Sequence, residues 1–226
     1  MTLTIYDTLE QGSEQWLDAR AGLVTASVVG KLITPSLKLA DNETSRGLIE
    51  TLAAERITGH VDFVFPNADM QRGTMDEPYC RDIYAANYAP VTEVGFMRLD
   101  TDDYSLGFSP DGLVSDAGLI EIKSRRPRIQ IQTILSGSIP MANRAQIYCG
   151  LFVSGREWLD FISYAGGWHM YVERVYPDPQ WFEVIHEATV KAEKDIADLI
   201  KRYEVASQGL VLAERVDHFA DIEIAL

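Results

Sequence analysis

The stretch from Thr92 to Ser124 constrains the fold most. It breaks into four short segments, TEVGFMRL, SLGFS, DGLV and GLIEIKS, each rich in apolar and β-compatible residues and separated by Asp, Gly and Ser. Runs this short, bounded by turn residues, predict a meander of strands. Helical patterns flank it on both sides. Residues 13–21 and 25–33 read as short helices with Ser13 and Thr25 as N-caps, and 43–59 as a longer one carrying Leu48, Leu52 and Ile57. A further pattern over 72–88 contains Pro78, which predicts a start near Glu77 or a kink there. Beyond the meander come helices at 127–136 and 140–153, then two strands, EWLDFISYA and WHMYVERVY, joined through Gly166–Gly167. Trp181, Ile185, Ala188, Ala192, Ile196, Leu199 and Tyr203 mark one face of a long final helix. Strands between helices predict an α/β layer architecture. With 226 residues, 46% of them hydrophobic, the chain can bury one substantial core. Residues 1–204 are read as a single domain, and 205–226 as a tail that packs on it or contacts a partner.

Composition excludes several classes. Cys80 and Cys149 form no CxxC pair, so neither a disulfide framework nor a four-cysteine zinc or iron–sulfur site is available in one chain. The four histidines show no HxH or HExxH spacing. With no run of about 20 apolar residues and no basic-then-apolar leader, the expectation is a soluble, unsecreted cytoplasmic protein with no membrane partner. A formal net charge of −14 opposes a nucleic-acid partner when taken alone. The charge is uneven, however. Residues 104–156 hold Lys123, Arg125, Arg126, Arg128, Arg144 and Arg156 against Asp111, Asp116 and Glu121, a local excess of three positive charges.

Within that window lies FSPDGLVSDAGLIEIKS. Side chains alternate along a strand, so Glu121 and Lys123 share one face of the sheet while Ile120 and Ile122 enter the opposite layer. A hairpin brings Asp111 alongside. Two converging carboxylates repel unless a hard divalent cation lies between them. Asp111, Glu121 and the main-chain carbonyl of Ile122 supply three oxygen ligands for Mg2+, with Mn2+ as a substitute, and Lys123 is placed to serve a nucleophilic water. Of six lysines only Lys123 has an acid two positions before it. On pattern alone two readings stay open: a metal-dependent phosphodiesterase centre, or a solvated strand face with an exposed ion pair.

Four segments in order then resemble the phage lambda exonuclease family of viral recombination nucleases, of the PD-(D/E)xK superfamily. WLDARAGLVTAS is similar to that family's W-x3-R-x-G-x-[IV]-T-A-S signature, through Trp16, Arg20, Gly22, Val24, Thr25, Ala26 and Ser27. RGTMDEPYCRDIY resembles its G-x3-E helix through Gly73 and Glu77, SPDG with EIK its metal-binding core, and ANRAQIYCGLFV its glutamine helix through Gln146.

The resemblance implies a restriction-endonuclease-like core, with a central mixed β-sheet flanked by helices. It implies Asp111 and Glu121 as metal ligands, Lys123 for the water, Glu77 near the metal and Gln146 supporting the scissile region. Arg20 and Ser27, with Ser109 of SPDG, would hold a 5′-phosphate, a role suited to a guanidinium fork and hydroxyl donors. After Lys123 the chain departs from the family, reading Ser124, Arg125, Arg126, Pro127, Arg128. Arg128, past the proline at a predicted helix start, is the first choice among the three arginines for phosphate. The implied activity is a magnesium-dependent exonuclease digesting one strand of linear double-stranded DNA from the 5′ end, to leave 3′ overhangs for recombination. A trimeric ring and a single-strand annealing protein are the implied partners. An endonuclease of restriction or resolving type, or a non-catalytic DNA-binding protein, are the alternatives.

Overall fold

The computed structural model describes residues 1–62 and 64–216. Its strands form two four-stranded mixed sheets. The first contains β1 (Thr2–Tyr6), β2 (Val24–Thr25), β3 (Phe96–Asp100) and β4 (Ser105–Phe108), in the order β1-β3-β4-β2, with only the β2–β4 pair parallel. The second contains β5 (Gly112–Val114), β6 (Gly118–Ser124), β7 (Trp158–Tyr164) and β8 (Tyr171–Val175), in the order β5-β6-β7-β8, with β6 and β7 parallel. An isolated bridge between Thr92 and Leu113 ties the segment before β3 to β5. The predicted sheet is thus present as two.

Helices α1 (Glu14–Arg20), α2 (Ala26–Val29), α3 (Glu43–Thr58), α4 (Ala68–Asn87), α5 (Pro127–Ser136), α6 (Met141–Ser154) and α7 (Pro179–Ala206) surround these sheets. Ser13 caps α1 by accepting from the Trp16 amide at 3.2 Å. Thr25 precedes α2 as expected but does not cap it; its Oγ1 lies 3.0 Å from Ser27 Oγ, and the predicted helix over 25–33 tightens to a 3-10 turn at Gly30–Leu32. The proline signal in α4 misleads. The helix starts at Ala68, where Asn67 accepts from the Asp69 and Met70 amides, and Pro78 lies in its interior. One intrahelical bond is lost at the proline. Burial of Cys80 and Tyr84, and the 2.6 Å bond from Tyr84 Oη to buried Asp160 on β7, hold α4 in place past it. β1 was not predicted: it is five residues long at a sheet edge, with Leu3 and Ile5 exposed.

Alternation along β6 divides the core in two. Leu119 joins the main cluster with Ile147 and Leu151 of α6, Leu159 and Phe161 of β7, and Ile185 and Ile196 of α7. Ile120 and Ile122 face the other way, packing with Ile162, Cys80 and Tyr84 under α4. Helix α6 approaches β4 closely at Gly150, where an added Cβ would lie 2.7 Å from the Phe108 ring. The turn after α1 is similarly tight. Gly22 sits at φ +67°, its amide donates to Glu55 Oε2 at 2.7 Å, and its carbonyl accepts from Arg56 Nε at 2.8 Å. These bonds anchor the segment carrying Arg20 to α3.

Helix α7 ends at Ala206, two residues past the predicted domain boundary. Residues 208–216 beyond it are exposed, and the rest of the predicted tail, 217–226, lies outside the described residues. Among the described residues, Cys80 and Cys149 are buried free thiols, and no helix is long and apolar enough to cross a membrane.

Candidate active site

The β5–β6 hairpin places Asp111 beside β6, as the spacing predicted. Gly112 pairs with Ile120, and β5 starts there, so Asp111 lies just outside the ladder, where its Oδ2 accepts from the Ile122 amide at 2.5 Å. A strand residue's amide and carbonyl point to the same side, so the Ile122 carbonyl also opens toward Asp111. Glu121 points from β6 toward α6 with a side chain 1% exposed. Its Oε1 receives both the Lys123 ammonium, at 2.5 Å, and Gln146 Nε2, at 2.6 Å, while its buried Oε2 has no partner among the described residues. The solvated-strand alternative does not survive this burial.

Burial raises the Asp111 carboxyl well above its ordinary value, and the charges of Glu121 and Glu77 add to the effect. Burial acts against the Lys123 ammonium, yet Glu121 and Asp111 outweigh it and hold its pKa above that of an ordinary lysine. Glu77 on α4 lines the same cleft. Burial raises its carboxyl, against the opposing charge of Arg81, with which it pairs. Among the described residues no three His, Cys, Asp or Glu side chains gather as a metal cage. A cation here would rely on two acids and a main-chain oxygen. The unpartnered Glu121 Oε2 and the all-oxygen donor set fit a hard divalent ion.

The cleft, about 330 Å³, continues to α1 and α2. Arg20 stacks on the Trp16 ring, 3.9 Å from its centroid, and its Nη1 donates to Ser109 Oγ at 3.1 Å. Arg20 Nη2 reaches Ser27 Oγ at 3.4 Å. Burial brings the Arg20 guanidinium down to about 10, against the raising effect of Glu55, so it stays charged at neutral pH. Ser109 Oγ also accepts from Trp16 Nε1 at 3.0 Å. Both lone pairs of that hydroxyl are thereby used, which leaves its proton to donate into the cleft. The corner is rich in donors and suited to an oxyanion.

These positions gather the predicted residues Arg20, Ser27, Glu77, Ser109, Asp111, Glu121, Ile122, Lys123 and Gln146 in one cleft. Residues 15–157 match the family model of the YqaJ-like viral recombinase domain. The chain belongs to the YqaJ-like viral recombinase family. Its structure is similar to that of an alkaline exonuclease, LHK-Exo from Laribacter hongkongensis. Identity is 31%, with a TM-score of 0.77 over 88% of this chain and 100% of that chain. The same relative solved in complex with dAMP gives a TM-score of 0.78. A phage-related exonuclease from Haemophilus somnus 129PT, at 13% identity, shares the fold, with a TM-score of 0.60 over 80% of this chain and 96% of that one. No curated protein matches. This YqaJ-like chain is a deoxyribonuclease of the lambda-exonuclease kind.

The three arginines of the YqaJ-like chain predicted as candidates for phosphate, Arg125, Arg126 and Arg128, lie outside the cleft lining. Arg125 donates to Asn143 Oδ1 at 2.6 Å while its buried Nε has no partner among the described residues, and burial lowers its pKa. Arg126 pairs with Asp69 at 2.8 Å. Arg128 is exposed in the first turn of α5. Two residues of the site escaped sequence reasoning: Arg81, whose Nε donates to the Asp111 carbonyl at 2.9 Å, and Gln11, whose Nε2 donates to the Pro110 carbonyl at 3.3 Å. An i,i+4 spacing of Glu77 and Arg81 was legible, but nothing in the sequence linked either residue to Asp111.

Proposed function

We propose that the chain is a magnesium-dependent 5′-to-3′ exonuclease, digesting one strand of linear double-stranded DNA to leave 3′ overhangs for recombination. The observation that carries this reading is the union, in one cleft, of an acid pair with an unpartnered buried oxygen and a donor-rich corner at Arg20. The first is suited to a cation at the scissile phosphate and the second to a terminal phosphate. The LHK-Exo relative has been solved in complex with a mononucleotide, dAMP, and a nucleotide is the class of ligand we propose for this cleft.

Asp111 Oδ1, Glu121 Oε2 and the Ile122 carbonyl would hold Mg2+, with Mn2+ as a substitute. When bound, the ion supplies Lewis acidity to a phosphate oxygen and acidifies water. Lys123 Nζ, kept protonated by its acidic neighbours, orients the attacking water by donation and offsets charge that grows on the phosphate oxygens. Gln146 keeps Glu121 Oε1 occupied and so presents Oε2. Glu77 accepts protons from waters at the centre. Arg20, Ser27 and Ser109 bind the 5′-phosphate, whose position sets the scissile bond one nucleotide further along. Arg128 is the phosphate contact we propose along the duplex, since Arg125 and Arg126 are already engaged with Asn143 and Asp69.

The deciding experiment uses end-labelled linear duplex carrying either a 5′-phosphate or a 5′-hydroxyl, beside a covalently closed circle, in Mg2+ and in EDTA. Release of mononucleotides from the phosphorylated 5′ end alone, only with Mg2+, is expected. Cutting of the closed circle would instead establish an endonuclease. We further propose that three chains close into a ring with basic residues from 104–156 inward, which would retain duplex despite a net charge of −14 per chain. Light scattering should give a trimeric mass, and digestion should persist after a chase of unlabelled DNA. A single-strand annealing protein is the partner this product calls for.

A further inference from the structure

Arg81 has no part in the chemistry above, yet its side chain is only 13% exposed and all of its guanidinium nitrogens are engaged. Nε donates to the main-chain carbonyl of Asp111 at 2.9 Å, Nη1 meets Glu93 Oε2 at 2.8 Å, and Nη2 pairs with Glu77 Oε1. Asp111 is thereby held at both ends, its carbonyl by Arg81 and its Oδ2 by the Ile122 amide. Asp111 sits between Pro110 and the three-residue strand β5, where ladder bonds do little to fix it. Glu77, Asp111 and Glu121 line one cleft and repel one another, and Arg81, ahead of Lys123, is the main cation set against Glu77. A planar fork joining one main-chain oxygen and two carboxylates is a geometry that an ammonium does not reproduce.

We infer that Arg81 is a positioning residue of the metal centre: it sets the place of Asp111 through the main chain and fixes the Glu77 carboxylate beside it. The inference rests on Asp111 and Glu121 being metal ligands. Glu93, 70% exposed, is the outer and least constrained arm of the arrangement.

The test is Mn2+ binding to the whole protein without DNA, by titration calorimetry. Wild type, Arg81→Gln, Arg81→Lys, Glu93→Gln and Asp111→Asn are compared, with circular dichroism to establish folding. Arg81→Gln is expected to weaken Mn2+ binding about 10–100-fold, the range for groups that orient a ligand without touching the ion. Arg81→Lys should restore only part of that loss, and Glu93→Gln should stay near wild type. In the nuclease assay, Arg81→Gln should raise the Mg2+ concentration for half-maximal rate far more than it lowers the rate at saturating Mg2+. A general loss of structure would not produce that split. Should Arg81→Gln fail to fold, the double variant with Glu77→Gln removes the charge left unpaired and is compared with Glu77→Gln alone. If Asp111→Asn abolishes Mn2+ binding while a folded Arg81 variant binds like its parent, Arg81 is only a structural ion pair and the inference fails. If Asp111→Asn itself binds normally, the metal assignment is wrong and the inference falls with it.

Discussion

Gln146 on α6 donates to Oε1 of Glu121 on β6 at 2.6 Å, the same oxygen that Lys123 meets at 2.5 Å. Two donors on one oxygen leave the other, also buried, to a different partner. Gln146→Leu removes one donor and lets the carboxylate rotate. A loss of about 10–100-fold in kcat is expected, of the size seen when a ligand-orienting contact is removed. Unchanged kcat in a folded variant would take Gln146 out of the site.

Lys123→Ala should lose about 10²–10⁴-fold in kcat, the usual worth of a group acting on a proton in the transition state. Mn2+ and DNA binding should persist, because the ammonium is asked to act mainly in the transition state. Loss of DNA binding in step with kcat would mean that Lys123 binds the ground state instead.

Asp111 carries a pH signature. Its folded-state pKa is raised by burial and by its acidic neighbours, so the folded protein takes up this proton more readily than the unfolded chain. That contribution is complete below the unfolded value of 3.8 and is lost as pH rises through the folded one. Asp111→Asn abolishes the loss. In EDTA, the melting temperature of the variant should gain on wild type as pH rises from acid toward neutral. Parallel pH profiles would mean that Asp111 is ordinary in the metal-free protein.

Arg20→Ala should reduce kcat/KM on 5′-phosphorylated ends by about 10–100-fold, as for loss of a charged hydrogen bond, and on 5′-hydroxyl ends much less. Equal losses on both ends would show that Arg20 shapes the helix pair and does not meet the phosphate.

Much of this site was legible because β-strand alternation is rigid. Glu121 and Lys123 had to share a face, and Asp111 had to return beside them through a short hairpin. The Arg20 corner was legible only through resemblance, since a helix arginine by itself predicts nothing. What escaped depends on the third dimension. Arg81 is linked to Asp111 across 30 residues, and no local pattern announces that a helix side chain will meet a main-chain carbonyl. Pro78 argued for a helix start that Asn67 and the packing of Tyr84 overrode. β1 lacked a signal because an exposed edge strand has no buried face to impose alternation. The division of the strands into two sheets is likewise set by pairing partners, which sequence does not display.

The close approach at Gly150 makes core volume a kinetic variable. Gln146 lies one helical turn before it on α6, and Phe108, whose ring it faces, lines the cleft and leads directly into Ser109. A methyl group there must displace the ring, the helix or both, moving Gln146 from one side and Ser109 from the other. Gly150→Ala should therefore fold, with a loss of about 1–3 kcal/mol for overpacking. Its turnover should fall further than that thermal cost suggests, because the spacing between helix and sheet sets the aperture in which the chemistry occurs. Drift in sequence at this buried apolar contact would detune the enzyme without unfolding it.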